Sequence, residues 1–251
     1  MLSKSEKIWI KSLTDKKTRN LQNEFVAEGS RIVLDLLKAA PEKLKFLCAT
    51  PEWHAKVAPN FLKNEEKVHI ISISELQSVA SLKSTEEVLG IFEFPSFERN
   101  KKDTDSLIIY LDAIRDPGNL GTIIRSADWF GINTIFVSPD CVDPFNNKCI
   151  QATMSSIMRV GVHVKTWREM MNEFSAVKKY AATMKGDSIY SMHAEEVKLI
   201  CIGNEANGLP EEIKKDCNGE LSIPSAFSLG AESLNAAVAC SLLMAWKAFA
   251  K

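Results

Sequence analysis

The sequence is short of several features that would point to other function classes. No apolar run approaches the roughly 18–20 residues that a membrane-spanning helix needs. The first residues, MLSKSEKIWIKSL, mix charges into their apolar positions and lack the apolar core of a signal peptide. Six cysteines are present (Cys48, Cys141, Cys149, Cys201, Cys217 and Cys240), yet no CxxC pair occurs and several stand in apolar stretches. That argues against a zinc site or a disulfide framework, so no metal and a reducing cytoplasm are expected. No GxGxxG dinucleotide fingerprint occurs either. Net charge is −1, so bulk charge gives no argument for a polyanionic partner.

The distribution of charge says more than its sum. Residues 1–20 carry Lys4, Lys7, Lys11, Lys16, Lys17 and Arg19 against Glu6 and Asp15. The plain reading is a solvated helix face. The functional one is contact with phosphate groups, for which Lys16, Arg19 and, beyond this stretch, Arg31 are the candidates.

Length allows one large or two small domains. Residues 1–96 alternate short strands with helices. Strands are expected at 25–29, 45–50, 67–72 and 88–94, with helices at 31–40, near Trp53 and at 74–81 behind a serine cap. Residues 97–106 are polar and read as a linker. A second α/β domain then runs over 107–251. Its strands are expected at 106–113, 134–138, 162–166, 179–184, 198–203 and 220–224, and its helices at 119–130, 146–158 and 233–250. The last helix, SLNAAVACSLLMAWKAFA, is apolar on nearly every side and calls for a second packing partner, most simply another copy of the chain.

Three stretches concentrate polar and small residues at strand ends, where open parallel sheets collect ligands. In DPGNLGTIIR (116–125), Pro117 and Gly118 make a turn, Asn119 is a good helix cap, and Gly121 permits close approach. Arg125 follows six residues after Asn119, on the second helical turn. In GNEANGL (203–209), Gly203, Asn204, Glu205 and Gly208 form a tight loop after a buried strand, and Pro210 opens a helix. In LSIPSAFSLGAESLNAAVA (221–239), a strand ends at Pro224, and Ser233, Leu234 and Asn235 stand at the start of the apolar helix. Each taken alone has a plain structural reading, with Ser233 as a simple cap.

Together, in this order, NLGTIIR, GNEANGL and Ile223–Pro224 with ESLNAAVA resemble the three motifs of SpoU-type (TrmH-like) RNA 2′-O-ribose methyltransferases of the SPOUT class. FVAEG (25–29) followed by a helix is similar to the family's L30e-like substrate-binding domain. The resemblance implies an α/β fold with a deep trefoil knot at the C-terminus, S-adenosylmethionine as cofactor, and a homodimer. It implies Arg125, Asn119, Glu205, Ser233 and Asn235 as catalytic residues. Gly203, Asn204, Gly208, Ile223, Pro224 and Leu234 would hold the cofactor. The sequence departs from the family pattern in a loop, 225–231, about two residues longer than usual, in Gln151 where Arg is commoner, in Ser155 where Gly is commoner, and in Ala236–Ala237 after ESLN.

A ribose 2′-hydroxyl is a poor nucleophile, so the site must align it and stabilise charge growing on its oxygen. His54, His69, His163 and His193 lie outside the motifs, which argues against a histidine base. Arg125, permanently protonated, is expected as the electrostatic stabiliser. The expected substrate is ribosomal RNA, favoured by the added N-terminal domain, with transfer RNA as the alternative. A SPOUT-fold base methyltransferase and a non-catalytic RNA-binding protein are the competing readings. Nucleoside analysis of the product separates the first, and binding of S-adenosylmethionine the second.

Overall fold

The computed structural model describes residues 1–61, 65–82, 85, 87–97, 107–226 and 232–250. Most of the expected linker and most of loop 225–231 lie outside the described residues. The chain divides into two compact units. One comprises Met1–Ser96 with Asp143–Arg159, and the other Phe97–Val142 with Val160–Lys251.

The first unit runs α1 (Lys4–Ser12), α2 (Lys16–Gln22), β1 (Glu24–Glu28), α3 (Ser30–Ala39), β2 (Leu44–Ala49), α4 (Pro51–Phe61), β3 (Val68–Ile70), α5 (Ile73–Val79) and β4 (Val88–Glu93). The sheet order is β1-β4-β2-β3, with β4 antiparallel to β1 and β2 and with β3 parallel to β2. The cap of α5 is Ser72, two residues before the serine expected from the sequence, because its hydroxyl reaches the Glu75 amide at 3.2 Å.

The sequence places Asp143–Arg159 inside the second domain, yet it packs in the first unit. Arg19 shows why. Its guanidinium is 3% exposed and binds Asp143, which is 9% exposed. The Nε–Oδ2 distance is 3.1 Å, and Nη1 donates to the carbonyls of Leu13 and Thr14 at 2.8 Å each. Arg19 is therefore not an RNA contact, since every face of its charge is already paired and buried. Glu28, also buried, accepts the Leu82 amide at 2.9 Å, the Thr85 hydroxyl at 2.6 Å and the Asn147 amide side chain at 2.9 Å. Gln151 donates to the Glu28 carbonyl. The helix expected over 146–158 is shorter: α7 covers Asn147–Thr153, and Met154 (φ 49°) and Ser155 (φ 73°) turn left-handed before a short 3-10 turn at Ser156–Met158.

The second unit runs β5 (Ile108–Leu111), α6 (Pro117–Trp129), β6 (Thr134–Val137), β7 (Gly161–Val164), α8 (Trp167–Glu173), β8 (Lys179–Ser188), β9 (Leu199–Ile202), α9 (Glu211–Asp216), β10 (Gly219–Ser222) and α10 (Ala236–Phe249). All six strands are parallel, in the order β10-β8-β9-β5-β6-β7. β5 and β9 are buried throughout, which suits central strands covered on both faces. The chain builds outward from β5 in one direction through β6 and β7, then returns to the other side, so the direction changes between β5 and β9. Leu111 is in register with Ile202, and these two strands end at the same level. The loops that follow them flank a crevice of the kind that binds ligands in open parallel sheets.

Candidate active site

β5 leaves the sheet through an unusual turn. The Asp112 amide makes a last ladder bond to the Ile202 carbonyl at 2.8 Å. Ala113 then adopts φ 53°, a left-handed conformation that costs a residue with a Cβ. Two bonds hold it there: its amide donates to the Ser138 hydroxyl at 2.9 Å, and its carbonyl accepts the Asn204 side chain at 3.0 Å. Burial pushes the neighbouring Asp112 carboxyl up. Ser138 pulls it part-way back, and Asp140 adds to the rise.

α6 starts two residues earlier than the sequence suggests. Asp116 is the cap, accepting the Asn119 amide at 2.8 Å, and Pro117 occupies the first helical position. Asn119 is thus the third helical residue, and its side chain is released from capping. Its Nδ2 donates to Glu205, and its Oδ1 accepts Nδ2 of Asn235 at 3.0 Å. Asn235 in turn caps α10, accepting the amides of Ala237 at 3.0 Å and Val238 at 3.3 Å. Ser233 is not the cap; it and Leu234 are exposed just before the helix. One side chain from each motif meets at Asn119.

The loop after β9 is shaped by its own backbone. The Asn204 carbonyl accepts the Gly208 amide at 2.8 Å, and its side-chain oxygen accepts the Ala206 amide at 2.8 Å. A Cβ on Gly203 would stand 2.2 Å from the Gly208 carbonyl carbon, so only glycine fits, and Gly208 itself turns at φ 66°. Pro210 caps α9 rather than opening it. Asn204 therefore has both ends of its side chain spent within the protein, tying this loop to the β5 turn.

Arg125 is exposed on the third turn of α6 and makes no hydrogen bond or ion pair with another described residue. Beside it, the Ser126 hydroxyl meets that of Ser241 at 2.7 Å, which fixes α6 against α10. Glu205 is exposed and engages Asn119 rather than Arg125. Ile223 is half-buried, Pro224 exposed, and Leu234 46% exposed. Lys16 and Arg31 are exposed in the first unit. Sequence reasoning missed Ala113 and Ser138, which carry no local signal. It also missed Asp116, whose Asp-Pro pair ahead of an apolar-periodic run is the usual mark of a cap.

The profile of the SpoU rRNA methylase family matches residues 106–245. The chain belongs to this family. Its N-terminal stretch, residues 8–90, matches the MRM3-like substrate-binding domain. Among relatives of this SpoU member, the 23S rRNA (guanosine(2553)-2′-O)-methyltransferase RlmP of Bacillus subtilis is 27% identical over 247 residues, 96% of each chain. A TrmH-family RNA methyltransferase structure from Porphyromonas gingivalis superposes with a TM-score of 0.83 at 27% identity, covering 98% of both chains. An AdoMet-bound rRNA methyltransferase from Sinorhizobium meliloti gives 0.81 at 27% identity, covering 98% of this chain and 95% of the other.

Proposed function

We propose that this protein transfers a methyl group from S-adenosylmethionine to a ribose 2′-hydroxyl of ribosomal RNA. The observation that carries the reading is the Glu205–Asn119–Asn235 chain of hydrogen bonds, which joins all three motifs at the carboxyl ends of β5 and β9, with Arg125 exposed farther along the same helix. The name of the Bacillus relative and the ligand of the Sinorhizobium structure support the substrate and the cofactor.

The residues present fit such a cofactor. An adenosyl group needs apolar surface and backbone to lie against, and Leu234 and Ile223 keep apolar surface open beside strand ends where Gly203 admits no side chain. Gly203, Asn204, Gly208, Ile223, Pro224 and Leu234 would hold it, with Glu205 available to an ammonium group through the oxygen that Asn119 leaves unused. The bound cofactor supplies an electrophilic methyl on a sulfonium. Arg125 presents a fixed positive charge to the 2′-oxygen as negative charge builds there, and it needs no proton transfer of its own. Asn119 and Asn235 hold the loops around the site in place before substrate arrives. Ser233 lines the pocket, and the hydroxyl proton leaves to an RNA phosphate or to water.

The chain acts as a homodimer through α10. Val238, Leu242 and Phe249 are 47%, 44% and 74% exposed and recur at helical spacing along one stripe, an apolar face that water does not favour. The first unit receives RNA, with Lys16 and Arg31 as its phosphate contacts. The C-terminal segment is threaded as a trefoil knot. The free state of all six cysteines suits a reducing cytoplasm.

The test is a ribose-methylation map of cellular RNA with and without the gene, joined to methyl transfer in vitro from labelled S-adenosylmethionine. One 2′-O-methyl mark on ribosomal RNA that vanishes with the gene supports the reading. A lost mark on transfer RNA, or on a base, replaces it.

A further inference from the structure

Cys201 and Cys217 bracket the loop that carries Gly203, Asn204, Glu205 and Gly208. Cys201 is the third residue of β9, and Cys217 follows the last residue of α9. Their sulfurs stand 4.0 Å apart. Sheet register brings them together. Cys201 pairs with Ala181 of β8. Asn218, adjacent to Cys217, is bonded to Lys179 at the start of β8 through its amide at 2.8 Å and its side-chain oxygen at 2.9 Å. Of the six cysteines, Cys217 alone is not fully buried. Lys179 is 4% exposed, and among the described residues its ammonium has the Ser175 carbonyl at 3.3 Å as its hydrogen-bond partner.

We propose that Cys201 and Cys217 form a dithiol pair that hydrogen peroxide closes into a disulfide, stapling the two ends of the site loop. Cys217 is the thiol that reacts first. It is the accessible one, and its contact with Cys201 draws it below its ordinary range. Burial opposes that shift, Lys179 adds to it, and Asp216 and Glu220 work against it. Burial pushes Cys201 up, which keeps it a thiol until Cys217 has been oxidised. The Cys217 thiolate attacks one peroxide oxygen. An S–O bond forms, the O–O bond breaks, and the departing hydroxide takes a proton to become water. The Cys201 sulfur then attacks the sulfenic sulfur. An S–S bond forms, the S–O bond breaks, and the second hydroxide leaves as water with the proton Cys201 gives up. Two thiols are oxidised and one peroxide is reduced to two waters. A cellular dithiol reverses the bond by exchange, so it is a transient state in a reducing compartment.

The bond draws the sulfurs from 4.0 Å to about 2.05 Å. The end of α9 is then tied covalently to β9, which fixes both ends of the intervening loop. That consequence for methyl transfer rests on the function proposed above, while bond formation does not.

The experiment uses the full chain, reduced, exposed to hydrogen peroxide, blocked with a maleimide and digested without reductant. The expected result is a linked 201–217 peptide pair two hydrogens lighter than the separate peptides, reversed by dithiothreitol and absent in Cys217→Ser and Cys201→Ser. Cys217→Ser keeps full methyl transfer. The oxidised wild type loses at least about tenfold, and dithiothreitol restores it. A wild-type chain in which Cys217 passes to the sulfinic acid while Cys201 stays a thiol overturns the pairing. A formed bond with unchanged transfer overturns its control of the site. The mass readout needs neither RNA nor cofactor, so a failure of the methyltransferase reading is seen separately.

Discussion

Asn119 and Asn235, 116 positions apart, share a hydrogen bond of 3.0 Å, and each uses both ends of its amide. Asn119→Asp keeps the shape but replaces the donor facing Glu205 with a second carboxylate. Two like charges then compete at the centre of the site. We expect single-turnover methyl transfer to fall by about 10²-fold or more, a loss of oriented geometry. Asn235→Ala should in addition lower stability by about 1 kcal/mol through loss of the α10 cap, read from urea unfolding. Wild-type rates in Asn119→Asp would remove the hub from the mechanism.

Arg125→Ala should lower kcat by about 10²–10³-fold, the usual cost of one missing donor at a developing oxyanion. Arg125 lies on α6, apart from the loops assigned to the cofactor, so calorimetric affinity for S-adenosylmethionine should stay within a few-fold. Arg125→Lys should recover part of the rate, because charge returns without the planar fork. A large loss of cofactor affinity in Arg125→Ala would move the residue to the cofactor site.

Arg19→Ala leaves Asp143 buried without its partner. Breaking one side of a buried pair costs about 3–5 kcal/mol. The predicted signature is a drop of that size in urea unfolding. Arg19→Met with Asp143→Leu should regain most of it, since an apolar pair of similar volume avoids the desolvation penalty. Loss of RNA affinity with stability unchanged would return Arg19 to the list of phosphate contacts.

Ser155 holds φ 73° while 4% exposed, and its hydroxyl is only 3.4 Å from an Arg159 nitrogen, a weak bond. Ser155→Gly relieves left-handed strain worth about 1–2 kcal/mol against a smaller entropic cost. The thermal midpoint should rise by a few degrees. A fall would mean that the hydroxyl contact outweighs the backbone.

What the sequence made legible followed from locality. The ends of β5 and β9 and the positions of Asn119, Glu205 and Asn235 all sit in stretches whose small and polar residues break apolar strands, so pattern marked the stretches, while the resemblance to three ordered family motifs singled out the residues. The cap of α6 differs from the sequence expectation because Pro117 fixes the first helical φ and hands capping to Asp116, three residues upstream of Asn119. Arg19 was misread for a different reason. Its partner stands 124 residues away, and nothing near either residue distinguishes a buried cation from a solvated one. Ala113 is illegible for a third: its backbone conformation is imposed by Ser138 and Asn204, not by its own side chain.

The stretch from Asp143 to Arg159 also changes how the polypeptide can be cut. A fragment ending at Ser96 would expose the Arg19 guanidinium and strip Glu28 of Asn147, so recombinant pieces and chimeras exchanged between relatives need residues 143–159 grafted back, for instance through a short designed tether. The peptide bonds at 96–97, 142–143 and 159–160 are three crossings of one boundary, and a transplant that respects only the first would carry an unfinished module.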